Sequence, residues 1–223
     1  MVNIAENLQS IRSTIPNDVT LVAISKYHPA EALRQAYDAG QRIFGESREQ
    51  EMNAKHQELA SDITWHFIGH LQRNKVKYIA PYVSLIHSAD TPQLLIEIEK
   101  QAQRNARTIP VLLQVHIARE ESKSGFIPDE LRSWLDSGVF QHLSHTRIEG
   151  LMGMASNSED EQLIHKEFHS LRTLFEEVRN GWFSGSDSFS VLSMGMSGDY
   201  RIAIEEGSTM VRIGSAIFGE RQY

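Results

Sequence analysis

The chain of 223 residues contains no cysteine. This excludes a disulfide framework and any thiolate metal site, and it suits a cytoplasmic setting. No uninterrupted apolar run approaches the ~20 residues that a membrane-crossing helix needs. The first residues, Met1-Val2-Asn3-Ile4-Ala5-Glu6-Asn7-Leu8, lack a basic region followed by an apolar core, so no secretory leader is expected. Positive charge is in the minority. Lys and Arg total 22 against 29 Asp and Glu, a net charge of -7. That is the wrong sign for a general nucleic-acid or anionic-membrane binder. Histidine is scattered, with no compact spacing that would gather zinc ligands, so no metal is expected.

What the chain does have is apolar runs at regular intervals. Hydrophobic residues make up 40%, enough for a large core, and charged residues 23%. Ile4, Leu8 and Ile11 recur at helical spacing, so residues 3–13 read as an opening helix. Eight short apolar runs follow, at residues 20–26, 42–45, 64–69, 84–88, 109–117, 147–154, 189–195 and 209–214. Between them lie helix-prone stretches at 29–39, 47–60, 72–80, 91–105, from 128, 158–179 and 199–206. Near-continuous apolar strands alternating with helices imply a parallel sheet buried on both faces. Eight of them point to an α/β fold in which one domain, residues 1–223, closes as a (β/α)8 TIM barrel with an extra N-terminal helix. An open doubly wound sheet is the alternative. No repeat, low-complexity tract or linker divides the chain.

Functional groups in such a barrel stand at the C-terminal ends of the strands. Lys26 ends the first run, and an amine beside low dielectric is biased toward the neutral form that attacks aldehydes. The stretch alone favours a rim lysine that reaches to water. Arg212 lies inside the last apolar run and needs a partner there. Gly214 and Ser215 follow at a turn whose N–H groups could face an anion. Ser193 and Ser197, with Gly195 and Gly198, lie just before a helix and suit a phosphate cradle or a simple helix cap. His66 and His87 lie within strands and Lys123 in a polar loop. Each also has an ordinary structural reading.

Several pieces resemble the pyridoxal-phosphate homeostasis protein family: Val22-Ala23-Ile24-Ser25-Lys26, Phe44-Gly45-Glu46, Trp65-His66-Phe67-Ile68-Gly69, Ser122-Lys123-Ser124-Gly125, Gly150-Leu151-Met152, Ser193-Met194-Gly195-Met196-Ser197 and residues 207–219. They occur in family order over nearly the whole chain. The resemblance implies a barrel like the N-terminal domain of alanine racemase (fold type III), with pyridoxal 5′-phosphate (PLP) bound covalently to Lys26 as a Schiff base. It implies that Arg212 faces the pyridine nitrogen and that Ser193, Gly214 and Ser215 hold the phosphate with Ser197 nearby. His66 and Met152 would line the pocket. The family continues Phe-Gly-Glu with asparagine and an aromatic residue. Here Ser47-Arg48 follow, and Ser47 can keep one hydrogen bond.

The expectation is a PLP carrier in vitamin B6 homeostasis rather than an efficient enzyme, with no catalytic residue assigned. Apo-enzymes would be its recipients. The chain stops at Tyr223, just past the last strand, so a racemase-type dimer domain is expected to be absent and a monomer is favoured. Two other functions stay open. One is a PLP-dependent amino-acid racemase with His66 or Tyr200 as second base. The other is a Schiff-base aldolase acting on a sugar phosphate through Lys26.

Overall fold

Side chains along each strand alternate between two apolar environments, and that alternation closes the sheet. The computed structural model describes residues 2–120 and 124–220. Helix α1 (Ile4–Arg12) precedes strand β1 (Thr20–Ile24). Then come α2 (Ala30–Asp38), β2 (Ile43–Glu46), α3 (Glu49–Glu58), β3 (Thr64–Phe67), α4 (Val76–Ile79), β4 (Leu85–Ala89) and α5 (Pro92–Arg104). The second half holds β5 (Ile109–Val115), α6 (Pro128–Asp136), β6 (Thr146–Gly153), α7 (Glu161–Gly181), β7 (Val191–Ser193), α8 (Tyr200–Glu205), β8 (Met210–Ile213) and α9 (Ser215–Phe218). The strands pair in parallel in sequence order, and β8 returns to β1 with Val22 beside Arg212. The fold is a (β/α)8 barrel.

Two apolar layers result. Ala23, Phe44, Trp65, Phe67, Ile86, Val111, Leu113, Leu151, Leu192 and Val211 point outward into the core shared with the helices. Val22, Ile24, Leu85, Leu112, Met152 and Met210 fill the inside. Gly45 also faces inward, and a Cβ there would lie 2.5 Å from Ile24 Cδ1 and 3.1 Å from Val22 Cγ1. Gly150 has φ +155, and a Cβ would strike Val191 O. It marks the register shift between β5 and β6 near Val111 and Leu112.

Element ends are where the structure departs from sequence expectation. The helix expected from 158 begins at Glu161 because the Asp160 carboxylate accepts from Gln162 N and Leu163 N as an N-cap. The strand expected over 189–195 shortens to residues 191–193, with Gly195 turning the chain at φ +94. Helix α1 lies along the side of the barrel between α9 and α2. Asn7 Nδ2 donates to Ile217 O, and Arg12 donates to Gly40 O.

Candidate functional site

At the C-terminal ends of the strands a cavity of about 250 Å3 is lined by Ile24, Lys26, Ile68, Met154, Met196, Ser197, Gly198, Arg212, Gly214 and Ser215. Lys26 and Arg212 arrive together because β1 and β8 are neighbours. Lys26 lies two residues past the end of β1 and is half-buried, while Arg212 is only 4% exposed. Ser197 Oγ accepts hydrogen bonds from Gly214 N (3.2 Å) and Ala216 N (3.4 Å), so these N–H groups converge on the cavity wall. Ile24, Ile68 and Met154 supply an apolar surface that continues into the barrel interior.

Arg212 donates to Ser193 Oγ (2.7 Å) and to Gly153 O (3.0 Å), both neutral oxygens. Burial lowers its pKa to about 10 against the opposing pull of Asp199, so the guanidinium stays charged at neutral pH. Behind it runs a buried polar line. His87 Nδ1 lies 3.1 Å from Ser193 Oγ, and His87 Nε2 lies 3.0 Å from His66 Nδ1. Burial brings His66 down to about 3. It also pulls His87 well below the ordinary range, helped by the fields of His66 and Arg212. Both imidazoles are therefore neutral. A consistent assignment has the Ser193 hydroxyl donating to His87, and His87 donating to His66.

The sequence-named residues thus divide. Lys26, Ser197, Arg212, Gly214 and Ser215 line one cavity. Ser193 and His66 are buried in the polar line beneath it, and Met152, 1% exposed, packs inside the barrel. Ser47 is half-buried beside Gly69, whose Cβ would lie 2.8 Å from Ser47 Cβ. The lining methionine is Met154, just past the end of β6 and two residues beyond Met152. Period-2 alternation carried past Met152 would have found it. Met154 sits on a pinned rim, since Ser156 N and Oγ donate to Glu167 (2.6 and 2.8 Å) and Arg119 N donates to Ser156 Oγ. Gln114 Nε2 holds Ser124 O on the next rim loop. Ser122 and Lys123 lie outside the described residues.

A larger groove, about 390 Å3, opens between the N-terminal ends of β1 and β2. Its cations are already engaged, Arg12 with Gly40 O and Gln41 of the groove wall and Arg42 with Asp62. Tyr200, the other suggested base, bonds Thr14 Oγ1 at 2.9 Å and does not line the Lys26 cavity. Among the described residues no helix is long and apolar enough to cross a membrane.

The family model for the alanine racemase N-terminal domain matches residues 1–222. The pyridoxal phosphate homeostasis protein of Aquifex aeolicus is 39% identical, over 93% of this chain and 89% of that one. The chain belongs to the pyridoxal phosphate homeostasis protein family. The homeostasis protein of Vibrio alginolyticus is 37% identical over the full length of both. Among solved structures, PipY of Synechococcus elongatus without PLP superposes with a TM-score of 0.91 at 38% identity, covering 97% of this chain and 100% of that one. PipY with PLP bound gives 0.88 at 37% identity, with the same coverage. Alanine racemase of Clostridium difficile shares the fold alone. Its TM-score is 0.78 at 15% identity, and this chain, 99% covered, spans 56% of its length.

Proposed function

We propose that this protein binds PLP in the Lys26 cavity, holds it as an imine on Lys26, and serves as a carrier in PLP homeostasis. The observation behind the reading is the convergence of Lys26, Arg212 and Ser197 with the Gly214–Ser215 turn on one cavity of about 250 Å3. These groups fit the three parts of the ligand. The Lys26 amine meets the aldehyde, and C=N forms as one water leaves. The Ser197 hydroxyl and the Gly214–Ser215 turn meet the phosphate. Arg212 meets the pyridine nitrogen, with Ile24, Ile68 and Met154 against the ring. The binding of PLP by PipY, 37% identical over nearly the whole chain, supports this.

Arg212 also bears on what the protein does with its ligand. A guanidinium donates a hydrogen bond but keeps its proton, so the ring nitrogen facing it stays unprotonated. The ring is then a weak electron sink, which disfavours transamination. Racemisation needs a second base. His66 is buried, neutral and bonded to His87, and Tyr200 does not line the cavity. A carrier that shields a reactive aldehyde fits this set of groups better. Delivery to apo-enzymes, action as a monomer and a cytoplasmic setting are parts of the same reading.

A visible absorbance titration with PLP tests it. The wild type is expected to develop the band of a lysine imine, and Lys26→Ala to lose it entirely. A band that survives in the variant sinks the assignment to Lys26.

A further inference from the structure

We propose that Lys55 and Glu51 are positioning residues for Lys26, acting by clamping the residues on either side of it. The inference rests on the Lys26 imine reading above and concerns groups outside the cavity. Ser25, immediately before Lys26, is fully buried. Its hydroxyl donates to Glu46 Oε1 (2.6 Å), and its carbonyl accepts from Lys55 Nζ (2.8 Å) and from His28 N (3.1 Å). Tyr27, immediately after Lys26, donates its N–H to Glu51 Oε1 at 2.6 Å. Lys55 Nζ joins the two flanks by donating to Glu46 Oε1 and Glu51 Oε1, both at 2.7 Å. Three acceptors satisfy the ammonium completely.

The backbone at Tyr27 shows why such a clamp is needed. Its φ is +68, a left-handed conformation that a residue with a Cβ adopts at a cost. The chain therefore turns sharply just past Lys26. A short charge-assisted bond to Glu51, with the Arg48 guanidinium 4.9 Å over the Tyr27 ring, holds the turn in place. Glu46 comes from β2, and Glu51 and Lys55 from α3. None of the three lines the cavity, and their hydrogen bonds reach it through the Lys26 segment. A purely stabilising role is a poor explanation. Buried ion pairs are often no better than apolar replacements, and stability alone does not require contacts to both neighbours of one residue.

The test compares two ligands on the full chain. PLP forms the imine. Pyridoxine 5′-phosphate has the same ring and phosphate but an alcohol for the aldehyde, and it reports the rest of the pocket. Imine formation is read by visible absorbance and alcohol binding by calorimetry. Glu51→Ala and Lys55→Met are expected to weaken imine formation about tenfold or more, while alcohol binding stays within about twofold. Glu51→Gln keeps an acceptor for the Tyr27 N–H and is expected to retain imine formation. The Glu51 side chain is 22% exposed against 7% for Lys55, so Glu51→Ala keeps the test open even if the Lys55 variant folds poorly. Equal weakening of both ligands overturns the positioning role, as does an unchanged imine in Glu51→Ala. Absence of an imine in the wild type overturns the PLP reading itself, an outcome distinct from the other two.

Discussion

Inside the barrel, one buried cation is held by neutral groups. Arg212 leans on Ser193 and Gly153 O, with His87 and His66 behind. Outside the barrel, against α3, the buried cation Lys55 is held by two carboxylates and a carbonyl. The inner line lies beside the cavity, and its hydrogen bonds to Arg212 come from uncharged oxygens. The outer cluster faces the core, and there two carboxylates share the one ammonium. The neutral set prepares a charge for use, and the ionic set fixes a piece of backbone.

Three substitutions test that division. Lys55→Met strips the outer cluster of its cation and leaves Glu46 buried, with Oε2 already lacking a hydrogen-bond partner. The expected loss of stability by urea denaturation is about 3 kcal/mol, at the low end for a broken buried pair because Glu46 can take up a proton. A loss below about 1 kcal/mol would mean that the cluster is not held as an ionic unit. His87→Ala cuts the inner line and leaves the Ser193 hydroxyl proton and His66 Nδ1 without their His87 partner, while Ser193 keeps Arg212, with an expected loss of about 2 kcal/mol. Because Ser193 also bears on Arg212, this variant should weaken binding of the alcohol analogue as well. Unaltered binding would separate the line from the cavity.

The smallest effect is in pH dependence. Burial raises Glu46 to about 7 despite Lys55, so its folded form gains protons as pH falls from 7 toward 4.5, and stability rises with them. His66 and His87 have lowered folded values. The unfolded chain takes up their protons first, and stability falls as pH drops below 6.5. The two sets oppose each other between pH 6.5 and 4.5. Glu46→Gln removes the offset, so thermal melts at pH 7 and pH 5 should show a larger drop in Tm than for wild type. An equal drop would place Glu46 outside the titrating set.

The barrel was legible because parallel strands buried on both faces read as apolar runs, and each of the eight fell where a run stood. Lys26 and Arg212 were legible as charged residues at or within such runs. Lys55 was not. It sits in Glu49-Gln50-Glu51-Met52-Asn53-Ala54-Lys55, which reads as a solvated helix face. Only the packing of α3 against β2 and the Lys26 turn buries it, at 5% exposure. The meeting of His66 and His87 was equally hidden. Twenty-one residues separate them, and neighbouring strands bring their rings together. Element ends moved for local reasons, such as the Asp160 cap and the turn at Gly195, which periodicity does not encode.

Gly45 has one more consequence. The hydrogen it carries in place of a side chain leaves room into which Ile24 Cδ1 packs, and Ile24 also lines the cavity. The place of Ile24 in the cavity wall thus depends on a missing methyl group on β2, the strand beside β1. Adding the methyl would push Ile24 upward and raise the floor beneath any ring seated there. A change at a position outside the cavity lining would then reduce the cavity's size while Lys26, Arg212 and Ser197 stay in place.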